Sequence, residues 1–163
     1  MATRKAKQSN PNAIHLTVAS ASRAANFYVD KLGFKMTGQW PESGKPVYAK
    51  CELEGQVVML GELPSLQEAK QMGLDQHEIE VVKQDARAIA RGTVGVGVVY
   101  YLQVADVDRF AAKMRKRRVK LLLPPKTQFY GVRECALVDH DGYRLVFYSP
   151  AAMPAADESA ATD

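Results

Sequence analysis

Three histidines, His15, His77 and His140, are the only imidazoles in the chain. No HxH, HxxxH or histidine–carboxylate pair is placed to clasp an ion, so ordinary metal-site spacing is missing. Nucleophilic catalysis lacks its signatures too. There is no Ser-His-Asp grouping, GxSxG, P-loop or GxGxxG, and the GVGVV at 95–99 enters a strand without the dinucleotide fingerprint. What remains is a scatter of ionisable groups and rings, among them the acid Glu134 and the guanidinium Arg144. A lone base with neither metal nor nucleophile beside it supports little turnover. Binding is therefore the first expectation, and Glu134 and His15 are the candidates for any acid–base role.

The elements that position these groups are written twice. AIHLTVASASRAA at 13–25 returns 86 residues later, with Leu16, Val18, Ala19, Arg23 and Ala25 repeated as Leu102, Val104, Ala105, Arg109 and Ala111. Internal repeats decide the fold and must be found before single motifs. In the first copy residues 12–18 read as a strand. Ser20 or Ser22 caps a helix with Ala21, Ala25, Tyr28 and Leu32 on one stripe, and Gly33 stops it. FKMTGQW, VYAKCELEG and QVVMLGE follow as strands between Gly- and Pro-containing turns. The second copy runs GVGVVYYLQV, then a helix capped by Asp106 with Val107, Phe110, Ala111 and Met114 buried, then VKLLL, QFYGVRECALV and YRLVFYS. Gly55 and Gly142 correspond at 87 residues, so the register holds through the module.

This gives two β-α-β-β-β modules, 12–61 and 94–149, joined by a helical insert over 62–93. In the insert, Asp75 and Glu78 start a helix, Ile79, Val82, Ala86 and Ile89 lie at helical spacing, and Gly92 ends it. An amphipathic connector packed on the sheet is the favoured reading of this segment, and a ligand lid the other. Residues 1–11 read as a disordered basic arm and 150–163 as a disordered tail. At 163 residues and 47% apolar, the chain can form one domain or two halves, and its net charge of +4 is modest. No apolar run suits a membrane span and no apolar h-region opens the chain. Two cysteines, Cys51 and Cys135, form no framework. They read as buried thiols in a reducing compartment, and the expected location is cytoplasmic.

The pair of modules, with NFYVDKLGF in the first and VDHDGYRLVFYSP in the second, resembles the vicinal oxygen chelate superfamily. That group includes glyoxalase I, extradiol dioxygenases and the fosfomycin- and bleomycin-resistance proteins. The resemblance implies an α+β fold in which the modules form a curled mixed sheet, a cup that holds the ligand. It also implies four metal-ligand positions, which here are Ala13, Met59, Val99 and Val146. None of the four offers a suitable lone pair, so the expectation is no metal and no cofactor.

Within that cup, strand alternation puts His15 on the side of Ala13. It puts Tyr101 and Gln103 with Val99, and Arg144 and Tyr148 with Val146. His15 reads as a wall or core histidine, with a polar ligand contact as the other use. The strand over 132–138 is open: one loop length turns Glu134 inward with Ala136 opposite Val146, and a shorter one turns Arg133 and Cys135 inward. If Glu134 and Arg144 share the face, they either form a buried ion pair or divide the work, Arg144 holding an anionic ligand group. Trp40, the only Trp, packs at an edge or stacks on a ligand from the rim. The candidate ligand-binding set is thus His15, Trp40, Tyr101, Gln103, Glu134, Arg144 and Tyr148.

The expected function is metal-independent binding of a small organic molecule, for sequestration, resistance or sensing, by a homodimer of the kind frequent in the family. A metal-free lyase or isomerase of the same superfamily is the alternative. A nucleic-acid-associated protein using the basic run KMRKRRVK at 113–120 is a reading from another class. That run closes a helix, where positive charge complements the macrodipole, and no aromatic residues interleave with it, so nucleic acid is not the expected partner.

Overall fold

The computed structural model describes residues 13–92 and 94–151, so most of the expected basic arm and tail lies outside the described residues. The chain divides into two compact units, 1–89 and 90–163. The first contains β1 (Ile14–Thr17), α1 (Ala21–Asn26), β2 (Lys35–Trp40), β3 (Tyr48–Leu53), β4 (Gln56–Gly61), α2 (Leu66–Gln71) and nearly all of α3 (Gln76–Ala90). The second contains β5 (Val99–Gln103), α4 (Val107–Lys116), β6 (Leu123–Thr127), β7 (Val132–Val138) and β8 (Arg144–Pro150).

The expected single curled sheet is not what forms. The strands make two separate four-stranded sheets, ordered β1-β4-β3-β2 and β5-β8-β7-β6. In each, the first strand runs parallel to its own module's last strand, β1 with β4 and β5 with β8, and the other pairs are antiparallel. The outer strands end the sheets. β2 shifts register between Met36 and Gly38. β6 carries Pro124 and Pro125, which have no N–H to donate, and its register shifts between Leu123 and Lys126.

Each sheet buries one face under its helix. In the first module Leu16, Val18, Ala49, Cys51, Val58 and Leu60 are buried with Ala21, Ala24, Ala25 and Tyr28 of the helix. In the second, Leu102, Cys135, Leu137, Leu145 and Phe147 are buried with Val107, Phe110, Ala111 and Met114. Phe110 stacks on Phe147 with ring centroids 4.1 Å apart. Both helices start alike: Ser20 accepts from the Arg23 N–H and Asp106 from the Arg109 N–H, satisfying a donor the first turn leaves free. They end differently. The first continues as a π-helical stretch, Phe27–Leu32, stopped by Gly33 at φ 89°, whereas α4 stays α-helical to Lys116.

Two strand readings shift. VKLLL contributes only its last residue to β6, which runs on through the prolines to Thr127. The strand expected from Gln128 starts at Val132, because Gln128 and Val132 close a hairpin turn with Gly131 at φ 80°. Phe129 and Tyr130 form its tip, edge to face at 5.0 Å.

Candidate functional site

The strand registers fix which side chains share the open face of each sheet, the face turned away from the helix. In the first sheet one row reads Thr17–Gly61–Tyr48–Trp40 and the next His15–Met59–Lys50–Gly38. In the second the equivalent rows are Gln103–Tyr148–Glu134–Lys126 and Tyr101–Val146–Ala136–Leu123. The repeat offsets of 86 and 87 thus reappear as spatial equivalence: His15 matches Tyr101, Gly61 matches Tyr148 and Tyr48 matches Glu134.

In the first module this face forms a cleft of approximately 530 Å³ lined by His15, Trp40, Tyr48, Glu62, Glu68 and Met72 among others. The His15 and Tyr48 rings lie 6.4 Å apart and within 24° of parallel. Gly61 makes room for this: a Cβ there would stand 2.6 Å from His15 Nε2. The two carboxylates are anchored by backbone. Glu62 Oε1 accepts from the Ala21 N–H at 2.8 Å, at the start of α1. Glu68 Oε2 accepts from the Ser65 N–H at 2.8 Å while Ser65 Oγ accepts from the Glu68 N–H, a capping box that starts α2. The hydrogen bonds with Ser65 hold the Glu68 carboxyl below its usual range. Among the described residues no Lys or Arg lines the cleft.

The second open face carries five of the predicted residues: Tyr101, Gln103, Glu134, Arg144 and Tyr148. Ala136 pairs with Val146, which turns Glu134 to this side. Arg133 and Cys135 face the helix instead, and Arg133 forms a two-pronged ion pair with Asp108 of α4, at 2.6 and 2.8 Å. That guanidinium pulls the Asp108 carboxyl down. Tyr101 and Tyr148 meet edge to face at 6.1 Å. Glu134 Oε1 accepts from Gln128 Nε2 and from the Tyr130 hydroxyl, each at 3.1 Å. Desolvation and this bond to Glu134 push the Tyr130 phenol up to about 12.

The Glu134–Arg144 ion pair does not exist. Glu134 pairs with Tyr148 and Arg144 with Val138, four residues along β8, which separates them by about 13 Å at the usual rise per strand residue. Among the described residues no acid pairs with Arg144, which is exposed.

The metal positions give the same contrast. His15 is the neighbour of Met59 and Tyr101 of Val146. Among the described residues no group of three His, Cys, Asp or Glu could hold a metal ion. The side chains of Ala13, Met59, Val99 and Val146 do not fit the metal that the wider family uses.

Sequence reasoning missed Tyr48, Glu62, Glu68, Met72, Gln128 and Tyr130. The Ser65–Glu68 pair was a legible capping signal; the facing of Tyr48 needed the strand register. In the basic run Met114 is buried, whereas Lys113, Arg115, Lys116 and Arg118 are exposed. In α3 Val82 is buried and Ala86 exposed, and the Asp75–Glu78 capping box forms as expected. No helix among the described residues is long and apolar enough to cross a membrane.

Tandem β-α-β-β-β modules define the class, and the sequence agrees. Residues 10–147 match the Glyoxalase/Bleomycin resistance protein/Dioxygenase superfamily, so the chain belongs to it. No curated protein matches the chain. Among solved structures it is similar to TioX from Micromonospora sp. ML1, at 17% identity over 85% of this chain and 96% of that one, TM-score 0.60. UcmS2 is similar at 18% identity, 87% and 98% coverage and TM-score 0.61. TnmS3, an antibiotic binding protein from Streptomyces sp. CB03234, is similar at 18% identity, 88% and 97% coverage and TM-score 0.58. At these identities the likeness is one of fold.

Proposed function

We propose that the protein binds a small, flat organic molecule without a metal, in the manner of a sequestering or resistance protein, and that the first module's cleft receives it. The observation that carries this is the approximately 530 Å³ cleft between the open sheet face and α2, walled by the His15, Tyr48 and Trp40 rings. An apolar cavity with a few fixed polar groups is the usual make-up of a small-molecule site. Glu62 and Glu68 line it, and among the described residues no Lys or Arg does, so it suits a basic nitrogen on an aromatic body. The net charge of +4 is a poor guide to this local field. The description of TnmS3 as an antibiotic binding protein supports the same class of activity. A homodimer in the cytoplasm belongs to this reading, and sedimentation of the purified protein tests the first part.

Trp40 is the only tryptophan and is 64% exposed, so its fluorescence reports on the cleft. Titration with a panel of flat aromatic amines should shift its emission, and the matched carboxylic acids should not. A panel without effect, or an effect that persists in Tyr48→Ala and His15→Ala, would overturn the assignment.

A further inference from the structure

We infer that Glu134 is a second recognition point, on the other module, for the protonated nitrogen of a small organic cation such as an amidinium or ammonium group. Glu134 Oε1 is already filled, accepting from Gln128 and Tyr130. Glu134 Oε2 is buried and has no hydrogen-bond partner among the described residues. A buried carboxylate oxygen left unpaired is costly and rare, and where one occurs it calls for a donor.

Space for that donor is adjacent. A cavity of approximately 210 Å³ is lined by Leu123, Pro124, Lys126, Gln128, Glu134, Cys135 and Ala136. Its body is apolar and Glu134 is its one acid. Among the described residues no cation of the chain pairs with the free oxygen. Arg133 is committed to Asp108, and Arg144 lies four residue pairs along the β7–β8 ladder. Lys126 is the cross-strand neighbour of Glu134, yet it is exposed and forms no ion pair with it. Tyr130 keeps its proton through the neutral range, since burial and Glu134 push its phenol up to about 12. It therefore remains a donor to Oε1 and leaves Oε2 for an incoming group. An anion would meet the carboxylate head on, whereas a charged donor gains the stronger hydrogen bond. The repeat adds support: Glu134 stands where Tyr48 stands in the first module's cleft.

The probe is benzamidinium, with benzoate as its flat anionic counterpart, followed by backbone amide shifts in two-dimensional NMR. Benzamidinium should move the Ala136 and Leu123 amides in a saturable way, and benzoate should not. Glu134→Gln keeps the side chain's size and removes its charge, and should weaken benzamidinium by about tenfold or more, the worth of a hydrogen bond to a charged group. Perturbation confined to Trp40, Tyr48 and Met72 would leave the first cleft standing and overturn this second site. Equal movement with benzoate, no movement at Ala136, or unchanged affinity in a folded Glu134→Gln would overturn it as well. Should that variant not fold, the comparison of the two probes on the wild-type chain decides alone.

Discussion

The two modules share one topology, and among the matched positions at which their open faces differ, four shape the cavities. Where the first has His15, Gly61, Tyr48 and Trp40, the second has Tyr101, Tyr148, Glu134 and Lys126. The glycine is the pivotal difference. With no side chain at 61, the His15 ring lies over the strand and the cleft stays open. With Tyr148 there instead, a phenol fills the equivalent place against Tyr101, and a smaller cavity of approximately 210 Å³ lies beside Glu134. A duplicated fold thus keeps a buried apolar core under the helix in both copies and varies the other side. The shared face holds the fold, and the unshared face is where the modules have parted in chemistry.

The shared side should give the largest effect. Phe147 is fully buried and stacked on Phe110. Truncation to Ala removes that contact and leaves a cavity, at a cost of about 3–5 kcal/mol. Urea denaturation measures it. A loss below about 1 kcal/mol would mean the second helix is not seated as described.

Gly61→Ala tests the pivotal difference directly. The added methyl would stand 2.6 Å from His15 Nε2, so the imidazole must swing into the cleft. Overpacking of this kind costs about 1–3 kcal/mol, and response of Trp40 to aromatic amines should fall with it. Gly38→Ala is the control on the same sheet. Its Cβ would meet Lys50 Cβ at 3.8 Å, an ordinary contact, so that variant should be neutral or slightly stabilising. If both variants behave alike, the glycine at 61 has no special part in holding the cleft open.

The modules also differ in how charge ties helix to sheet. Arg133 on β7 grips Asp108 on α4; the matching residues in the first module are Val47 and Ser22, which cannot form such a pair. The Asp108 carboxyl is held below its ordinary value chiefly by the Arg133 hydrogen bond. A depressed folded-state value means the contribution is complete above the ordinary carboxylate range and lost as pH falls through the folded one. Asp108→Asn should therefore lower stability slightly at neutral pH and make little difference in strong acid. The pair is solvent-exposed, so a small effect is expected. Acid titrations followed by circular dichroism would read it, and a gap between variant and wild type that widens toward low pH contradicts the sign.

How much of this the sequence carried follows from the same contrast. The modules were legible because capping by Ser20 and Asp106 and apolar alternation at Leu16, Val18, Leu102 and Val104 are local signals. The facing of Glu134 depended on one loop. That loop is set by Asp139, whose Oδ1 accepts from the Asp141 and Tyr143 N–H groups and so closes the strands at Val138 and Arg144. The single cup was not borne out, since sheet pairing is a long-range choice that no local pattern encodes. The cleft was hidden for a related reason. One wall is α2, six residues long with Ala69 as its buried anchor, too short to show a helical period. The insert therefore read as a connector with a single helix.

The smallest expected difference is between the two cysteines, and it isolates the face the modules share. Cys51 and Cys135 lie on the buried sides of their sheets, and burial pushes each thiol up to about 11. At pH 8 that leaves roughly a thousandth of either group as thiolate, the reactive form. Neither should be alkylated by iodoacetamide in the folded protein within the time that labels a free small thiol, and both should be labelled at once in urea. Mass spectrometry of the two peptides separates them. Because the same cause acts on both, their protection should be nearly equal, whatever happens on the open faces. Selective labelling of Cys135 in the folded chain would show that the second module opens more readily than the first, and that the contrast between them extends through the sheet to the helix side.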